Sequence, residues 1–241
     1  MKVLIAFEKS GVLRDEFIAQ GYDATSCDIE PTERPGPHIQ GDAFEVLYQP
    51  GWDLVIAHPE CTYLTSAGLH WNTRRPGRAE KTEQALLDVE KVWKCPSRFL
   101  ALENPQGCIN TRLPFMPRPQ YVQPYQFGDD ASKKTGLWRR GLPELIIDPQ
   151  WRRPGRLVPW NGKVVERWSN QTDSGQNRLG PGPRRSAAPK RQMPRSKPRE
   201  RLEGRCNRHF PRRRHGLSGG RNDLTWTRRF SWRPRSPSSS C

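Results

Sequence analysis

In Asp53-Leu54-Val55-Ile56-Ala57-His58-Pro59-Glu60-Cys61-Thr62 a short apolar run leads directly into a motif that carries a thiol, and in Arg98-Phe99-Leu100-Ala101-Leu102-Glu103-Asn104-Pro105 a second such run leads into a carboxylate. Short continuous apolar segments bounded by turn residues read as strands buried on both faces, the form taken by parallel strands of an α/β sheet. Chemistry in such sheets collects outside the carboxyl ends of the strands, where Cys61 and Glu103 both fall. Taken singly, a cysteine is often a small buried hydrophobe and a glutamate a helix cap. Two strand-end groups of complementary chemistry, in order, read instead as a nucleophile and its acid partner.

The pattern extends in both directions. Lys2–Phe7 is an apolar strand, and Glu8-Lys9-Ser10-Gly11 a turn. Val12, Leu13, Phe17 and Ile18 then recur at helical spacing, with Gly21 as the stop. Tyr22–Cys27 reads as a second strand that delivers Asp28, and a proline-rich loop leads to Gly41-Asp42. Ala79–Trp93 reads as a helix with Ala85, Leu86, Val89 and Trp93 on one face. Thr111–Pro124 is proline-dense and reads as a covering loop, while Gly136–Trp138 and Glu144–Ile147 are expected to be further strands. Trp138, Trp151, Trp160 and Trp168 are expected to close a small core. Alternating strands and helices predict an α/β fold, Rossmann-like, with a mostly parallel sheet and helices on both faces.

Charge divides the 241-residue chain. Residues 1–170 hold 22 Lys and Arg against 21 Asp and Glu, and residues 171–241 hold 19 against 4. From Arg178 onward there is no Val, Ile or Tyr. Residues 1–177 are therefore expected to form one domain. Residues 178–241 read as a disordered Arg/Pro/Ser-rich tail that cannot bury enough apolar surface to order itself. Three origins stand for it: a nucleic-acid-binding arm acting by counterion release, a solvated tail without specific role, or out-of-frame translation of GC-rich DNA. The run Arg185-Ser186-Ala187-Ala188-Pro189-Lys190-Arg191 is suggestive of the last. The six cysteines form no C-x-x-C pair, so neither a zinc site nor a disulfide framework is indicated, and no metal is expected. With no secretory signal and no membrane-length apolar run, a cytoplasmic setting without membrane contact is expected.

In this order the motifs resemble those of the DNA cytosine carbon-5 methyltransferases, in particular their small phage- or prophage-type members; the resemblance covers residues 1 to about 180. It implies an S-adenosylmethionine-dependent methyltransferase fold with DNA as partner. It implies Cys61 as nucleophile and Glu103 as the acid that contacts the base. It also implies a cofactor pocket drawn from Phe7, Gly11, Asp28 (ribose), Asp42 (adenine amino group), His58 and the returning Asn170. Lys133, Lys134, Arg139 and Arg140 are candidates for holding nucleic-acid phosphates. The family places proline immediately before its cysteine, whereas this chain has Glu60, whose charge is expected to raise the thiol's pKa. The Gln-x-Arg-x-Arg element is absent, with Gln126-Phe127-Gly128 and Lys133-Lys134-Thr135 near its place. Two other readings stay open: an amino-group methyltransferase using Tyr63 to stack on a flipped base, and a catalytically dead nucleic-acid-binding relative. A Rossmann-type oxidoreductase is disfavoured, because no G-x-G-x-x-G follows the first strand.

Overall fold

Val3–Ala6 and Leu54–Ala57 are shielded from solvent, each residue at most 7% exposed, as central parallel strands require. They lie in β1 (Lys2–Ala6) and β4 (Leu54–Ala57), which pair directly in parallel. The computed structural model describes residues 1–176; the expected tail, 178–241, lies outside them. Seven strands form one sheet in the order β3-β2-β1-β4-β5-β7-β6. Its other members are β2 (Asp23–Asp28), β3 (His38–Gln40), β5 (Phe99–Pro105), β6 (Gln120–Val122) and β7 (Thr135–Arg140). All are parallel except β7, which runs antiparallel to both β5 and β6. The strand order reverses between β1 and β4, which opens a crevice at their carboxyl ends.

Helices cover both faces. On one, α1 (Val12–Ala19) lays Phe17 against Val3, Ile5, Ala24, Leu54 and Ile56. On the other, α2 (Ala43–Leu47) and α4 (Arg78–Lys94) pack Val46, Leu47, Ala85, Leu86, Val89 and Val92 on Leu4, Val55, Leu100 and Trp138. Each such side chain removed from water contributes about 1.5–3 kcal/mol. α4 follows from its sequence: buried positions recur every three to four residues, and Lys91 and Lys94 sit in the last turn, where the helix dipole favours cations. Two short helices, α3 (Ser66–Leu69) and α5 (Ile109–Arg112), lie in the segments after β4 and β5.

Three expectations are corrected. Thr111–Pro124 is not all loop, since it holds β6. Glu144–Ile147 is not a strand; its extended backbone is satisfied by the Gln120 side chain, which bonds both N–H and C=O of Leu145 at 2.8 and 2.9 Å. An unforeseen antiparallel ribbon follows, β8 (Arg156–Trp160) and β9 (Lys163–Arg167). Of the four tryptophans, Trp138 is in the main core and Trp168 is buried, stacked on Tyr125 at 3.9 Å, but Trp160 is 40% exposed.

Arg14, in the first turn of α1, is fully buried against the β2–β3 loop. Its guanidinium binds Asp15 (2.7 and 2.9 Å), the hydroxyls of Ser26 and Thr32, and the carbonyls of Arg34 and Pro35. A β-carbon on Gly11 or Gly36 would stand 2.5 or 2.7 Å from it, and both residues have positive φ. Gly11 thus makes room for Arg14, beyond what a cofactor turn alone would ask. Arg14→Met should cost about 3 kcal/mol in urea unfolding, because it strands buried acceptors on three segments. Arg14→Lys should recover only part of that, since an ammonium cannot reproduce the planar fork. A loss below about 1 kcal/mol for Arg14→Met would contradict this role.

Candidate active site

Parallel pairing of Ala57 with Leu102 brings the ends of β4 and β5 side by side. His58 therefore faces Glu103, and the Cys61 loop is pinned to the β5 extension. Fully buried Asn104 donates from Nδ2 to the Pro59 carbonyl at 3.1 Å. The backbone N–H groups of Leu64 and Thr65 close a turn on the Cys61 carbonyl at 3.0 and 3.2 Å. Thr65 bridges to Gly107. At Gly107 a β-carbon would stand 1.8 Å from the Leu64 carbonyl, so only glycine permits this approach. Thr82 of α4 donates to the Tyr63 carbonyl at 3.0 Å. The thiol's loop is thereby held from two sides.

Three titratable groups, His58, Glu103 and Lys133, meet beside the half-buried thiol. His58 Nδ1 is 3.3 Å from Glu103 Oε2, and Lys133 Nζ is 3.9 Å from Oε1. Burial pushes the Glu103 carboxyl up. The hydrogen bond and charge of His58, with Lys133 and Thr135, outweigh it and hold the carboxyl below its ordinary range. For Cys61, burial raises the thiol's pKa, Lys133 opposes the rise, and Glu60 and Glu103 add to it. The expected effect of Glu60 thus has the right sign, but burial dominates. The Glu60 carboxylate is turned onto the Thr62 N–H at 2.8 Å, and hydrogen bonds to Thr62 hold its own pKa down.

A raised thiol pKa leaves little thiolate at neutral pH, and the fraction grows with pH. Site-resolved alkylation of Cys61 should therefore accelerate roughly tenfold per pH unit between about 7 and 9. Lys133→Met should carry the rise to higher pH. A rate flat across that range would show that Cys61 is already ionised.

The cofactor candidates line the carboxyl ends of β1, β2 and β3. Phe7 has a left-handed backbone, φ 61°, and meets Phe44 edge-on at 5.1 Å. Asp28 accepts from Glu30 N at 3.0 Å, and Asp42 caps α2 by accepting from Phe44 N at 2.8 Å. Among the described residues, the second oxygen of each carboxylate has no hydrogen-bond partner. The two acids flank Cys27, whose thiol is pushed up to about 11 by burial first and then by their charges. An aromatic ring beside two acids with free acceptor oxygens suits a ribosyl-adenine group, so the residues present fit S-adenosylmethionine.

Other sequence candidates fall elsewhere. His58 is placed against Glu103, beside Cys61 and away from the cofactor candidates. The Asn170 side chain is spent on the backbone of Ser132, bonding its N–H and C=O at 2.9 and 2.8 Å; it braces the segment that carries Lys133. Of the four phosphate candidates, Lys133 is paired with Glu103 and Lys134 lies over the Tyr121 ring at 4.5 Å. Arg139 is tied to Glu144 at 3.0 Å. Arg140 spends its guanidinium on the carbonyls of Trp93, Cys95 and Ser97, at 2.5, 2.7 and 2.8 Å. Arg139 and Arg140 are thus committed within the protein, which corrects their assignment to phosphate. Sequence reasoning missed the place of Lys133 beside Glu103 and Cys61. The signal lay in β7, whose pairing of Thr135 with Pro105 returns Lys133 to the end of β5.

The sheet order and its single reversed strand define a Rossmann-like α/β fold with a mostly parallel sheet. No family model matches the chain, and no curated protein does. Among solved structures, similarity is found to an Escherichia coli protein described as a DNA modification methyltransferase encoded within a prophage, at 14% identity and TM-score 0.38 over 60% of this chain and 49% of that one. It is also found to the Entamoeba histolytica methyltransferase EhMeth, at 13% and 0.40 over 64% of this chain and 58% of that one. The third is the S. pombe Dnmt2 methyltransferase, at 13% and 0.37 over 61% and 51%. The chain thus spans roughly half the length of the structures it matches. Likenesses this distant add nothing to what the sheet order already shows. Among the described residues, no helix is long and apolar enough to cross a membrane.

Proposed function

We propose that the chain is an S-adenosylmethionine-dependent DNA methyltransferase that acts on cytosine carbon 5 through a covalent adduct with Cys61. The observation that carries this reading is the convergence of Cys61, Glu103, His58 and Lys133 at the adjacent ends of β4 and β5. Carbon 5 of cytosine is a weak nucleophile until a thiolate adds to carbon 6. Cys61 forms that bond, and Lys133 supplies the positive charge that favours its thiolate. Glu103, oriented by His58 and Lys133, accepts from the exocyclic amine and shares a proton with N3, which offsets the negative charge that thiolate addition puts on the ring. Phe7, Asp28 and Asp42 hold the cofactor. When bound, S-adenosylmethionine supplies an electrophilic methyl group for carbon 5. Loss of the carbon-5 proton to water then re-forms the carbon 5–carbon 6 double bond and expels Cys61 as thiolate. In a duplex the target base must leave the stack to reach the cleft.

Incubation with labelled S-adenosylmethionine and mixed-sequence DNA, followed by nucleoside analysis, tests the reading. Label in 5-methylcytosine is the expected result. Label in N6-methyladenine or N4-methylcytosine would overturn the carbon-5 chemistry, and absence of label would overturn the activity.

A further inference from the structure

We propose that Arg74 and, mounted on Trp71 and Tyr63, Arg75, Arg78 and Lys81 grip the phosphates of a nucleic-acid strand at the mouth of the Cys61 cleft. Between Cys61 and Thr82 the chain carries these four cations and one acid, Glu80. Elsewhere near the cleft Lys133 is paired with Glu103, Arg139 with Glu144, and Arg140 is spent on three carbonyls, while Lys134 lies over the Tyr121 ring with no carboxylate partner among the described residues. A cavity of roughly 210 Å³ by the β8–β9 ribbon is lined by Arg153, Arg156 and Arg167, but Arg153 and Arg156 are paired with Asp130 and Asp173. The four cations of the 74–81 segment have no carboxylate partner among the described residues.

Aromatic rings set their geometry. The Arg75 guanidinium lies 4.1 Å from the Trp71 ring centre, and that of Arg78 lies 4.3 Å from the Tyr63 ring, with Lys81 Nζ at 5.7 Å from the same ring. A guanidinium stacked on a ring keeps its full charge while losing side-chain freedom in advance, which lowers the entropy cost of meeting a phosphate. Arg78 also donates to the Thr62 carbonyl at 2.6 Å, one residue from the thiol's own. Asn72 bonds Thr82 at 3.0 Å, which in turn bonds Tyr63. Arg78 and Lys81 are therefore tied to the Cys61 loop through Thr62 and Tyr63. Arg74, Arg75 and Lys81 are exposed. Unneutralised cations interleaved with aromatic rings are the chemistry of a nucleic-acid backbone groove. The preference for nucleic acid over an acidic peptide rests on the base-directed chemistry proposed for Cys61; the placement of the cations does not.

The test is photocrosslinking of the full chain to oligonucleotides carrying 4-thiothymidine, with peptide mapping, so that crosslinks to this segment are separated from those to the basic residues 178–241. Crosslinks within residues 62–81 are expected. They should fall at least tenfold in Arg74→Ala/Arg75→Ala/Arg78→Ala/Lys81→Ala and severalfold in Arg74→Ala/Arg75→Ala, which leaves the Arg78–Thr62 hydrogen bond intact. The double variant should keep the wild-type melting temperature. It should also lower the salt dependence of binding by one to two units of log–log slope, about 0.7–0.9 for each phosphate that is no longer neutralised. Crosslinks confined to residues 177–241, an unchanged yield in the double variant, or equal competition by polyglutamate would overturn the proposal. A protein that crosslinks as expected but transfers no methyl group would sink the reading of Cys61 and leave this surface standing.

Discussion

Cys61→Ala is expected to lower methyl transfer by four orders of magnitude or more, on the order of what removal of a covalent nucleophile costs other enzymes, while S-adenosylmethionine binds with nearly unchanged affinity. Cys61 stands on the loop after β4, and the pocket assigned to the cofactor is built from Phe7, Asp28 and Asp42 on β1, β2 and the turn before α2. The substitution removes one sulfur from a half-buried site. The loop keeps its supports: Asn104 to Pro59, the turn on the Cys61 carbonyl, and Gly107 beneath Leu64. Loss of transfer with retained cofactor affinity, read by calorimetry beside a single-turnover assay, separates a nucleophile from a structural cysteine. Residual methylation within tenfold of wild type would point to attack from an exocyclic amine, which needs no thiol.

Glu103→Gln should be the second most damaging change, slowing transfer by about 10²–10³ through loss of the carboxyl that holds N3 and the exocyclic amine and can share a proton with the ring. Its effect should fall on the catalytic rate more than on DNA affinity. Stability has a separate signature. The folded state holds the Glu103 carboxyl below its ordinary value. Its charge therefore stabilises the fold above the unfolded-state pKa, and that contribution is lost as pH falls through the folded one. Glu103→Gln should flatten this acidic limb of the stability curve. A variant with wild-type turnover would remove Glu103 from the chemistry even if the limb flattened.

Several features were legible because they follow from local rules. β1, β4 and β5 read as apolar runs since parallel strands are covered on both sides, and their order placed Cys61 and Glu103 at neighbouring strand ends. α4 announced itself through Ala85, Leu86 and Val89. The ribbon β8–β9 left no such trace: along β8 only Val158 is buried, so hydrophobic alternation is nearly absent. Glu144–Ile147 looked like a strand because its apolar residues resemble one, but a side-chain amide takes the hydrogen bonds a neighbouring strand would have made. Arg14 gave no sign of burial within an otherwise ordinary amphipathic helix; its necessity appears only when Gly11, Gly36 and the loop carbonyls close around it. Lys133 was visible as a cation, yet its partner lies 30 residues away and is set by antiparallel β7. Arg139 and Arg140 show the same limit from the other side, since a basic pair at a strand end looks alike whether it faces phosphate or protein carbonyls.

The central claim is that Cys61 bonds covalently to a cytosine ring during methyl transfer. The most direct measurement is incubation of wild type and Cys61→Ala with S-adenosylmethionine and DNA containing 5-fluorocytosine, where fluorine in place of the carbon-5 proton blocks the final elimination. The wild type should form a denaturation-resistant protein–DNA adduct that mass spectrometry maps to Cys61, and Cys61→Ala should form none. Methylation of ordinary DNA without any adduct on the fluorinated substrate, or an adduct mapped to another residue, would contradict the account.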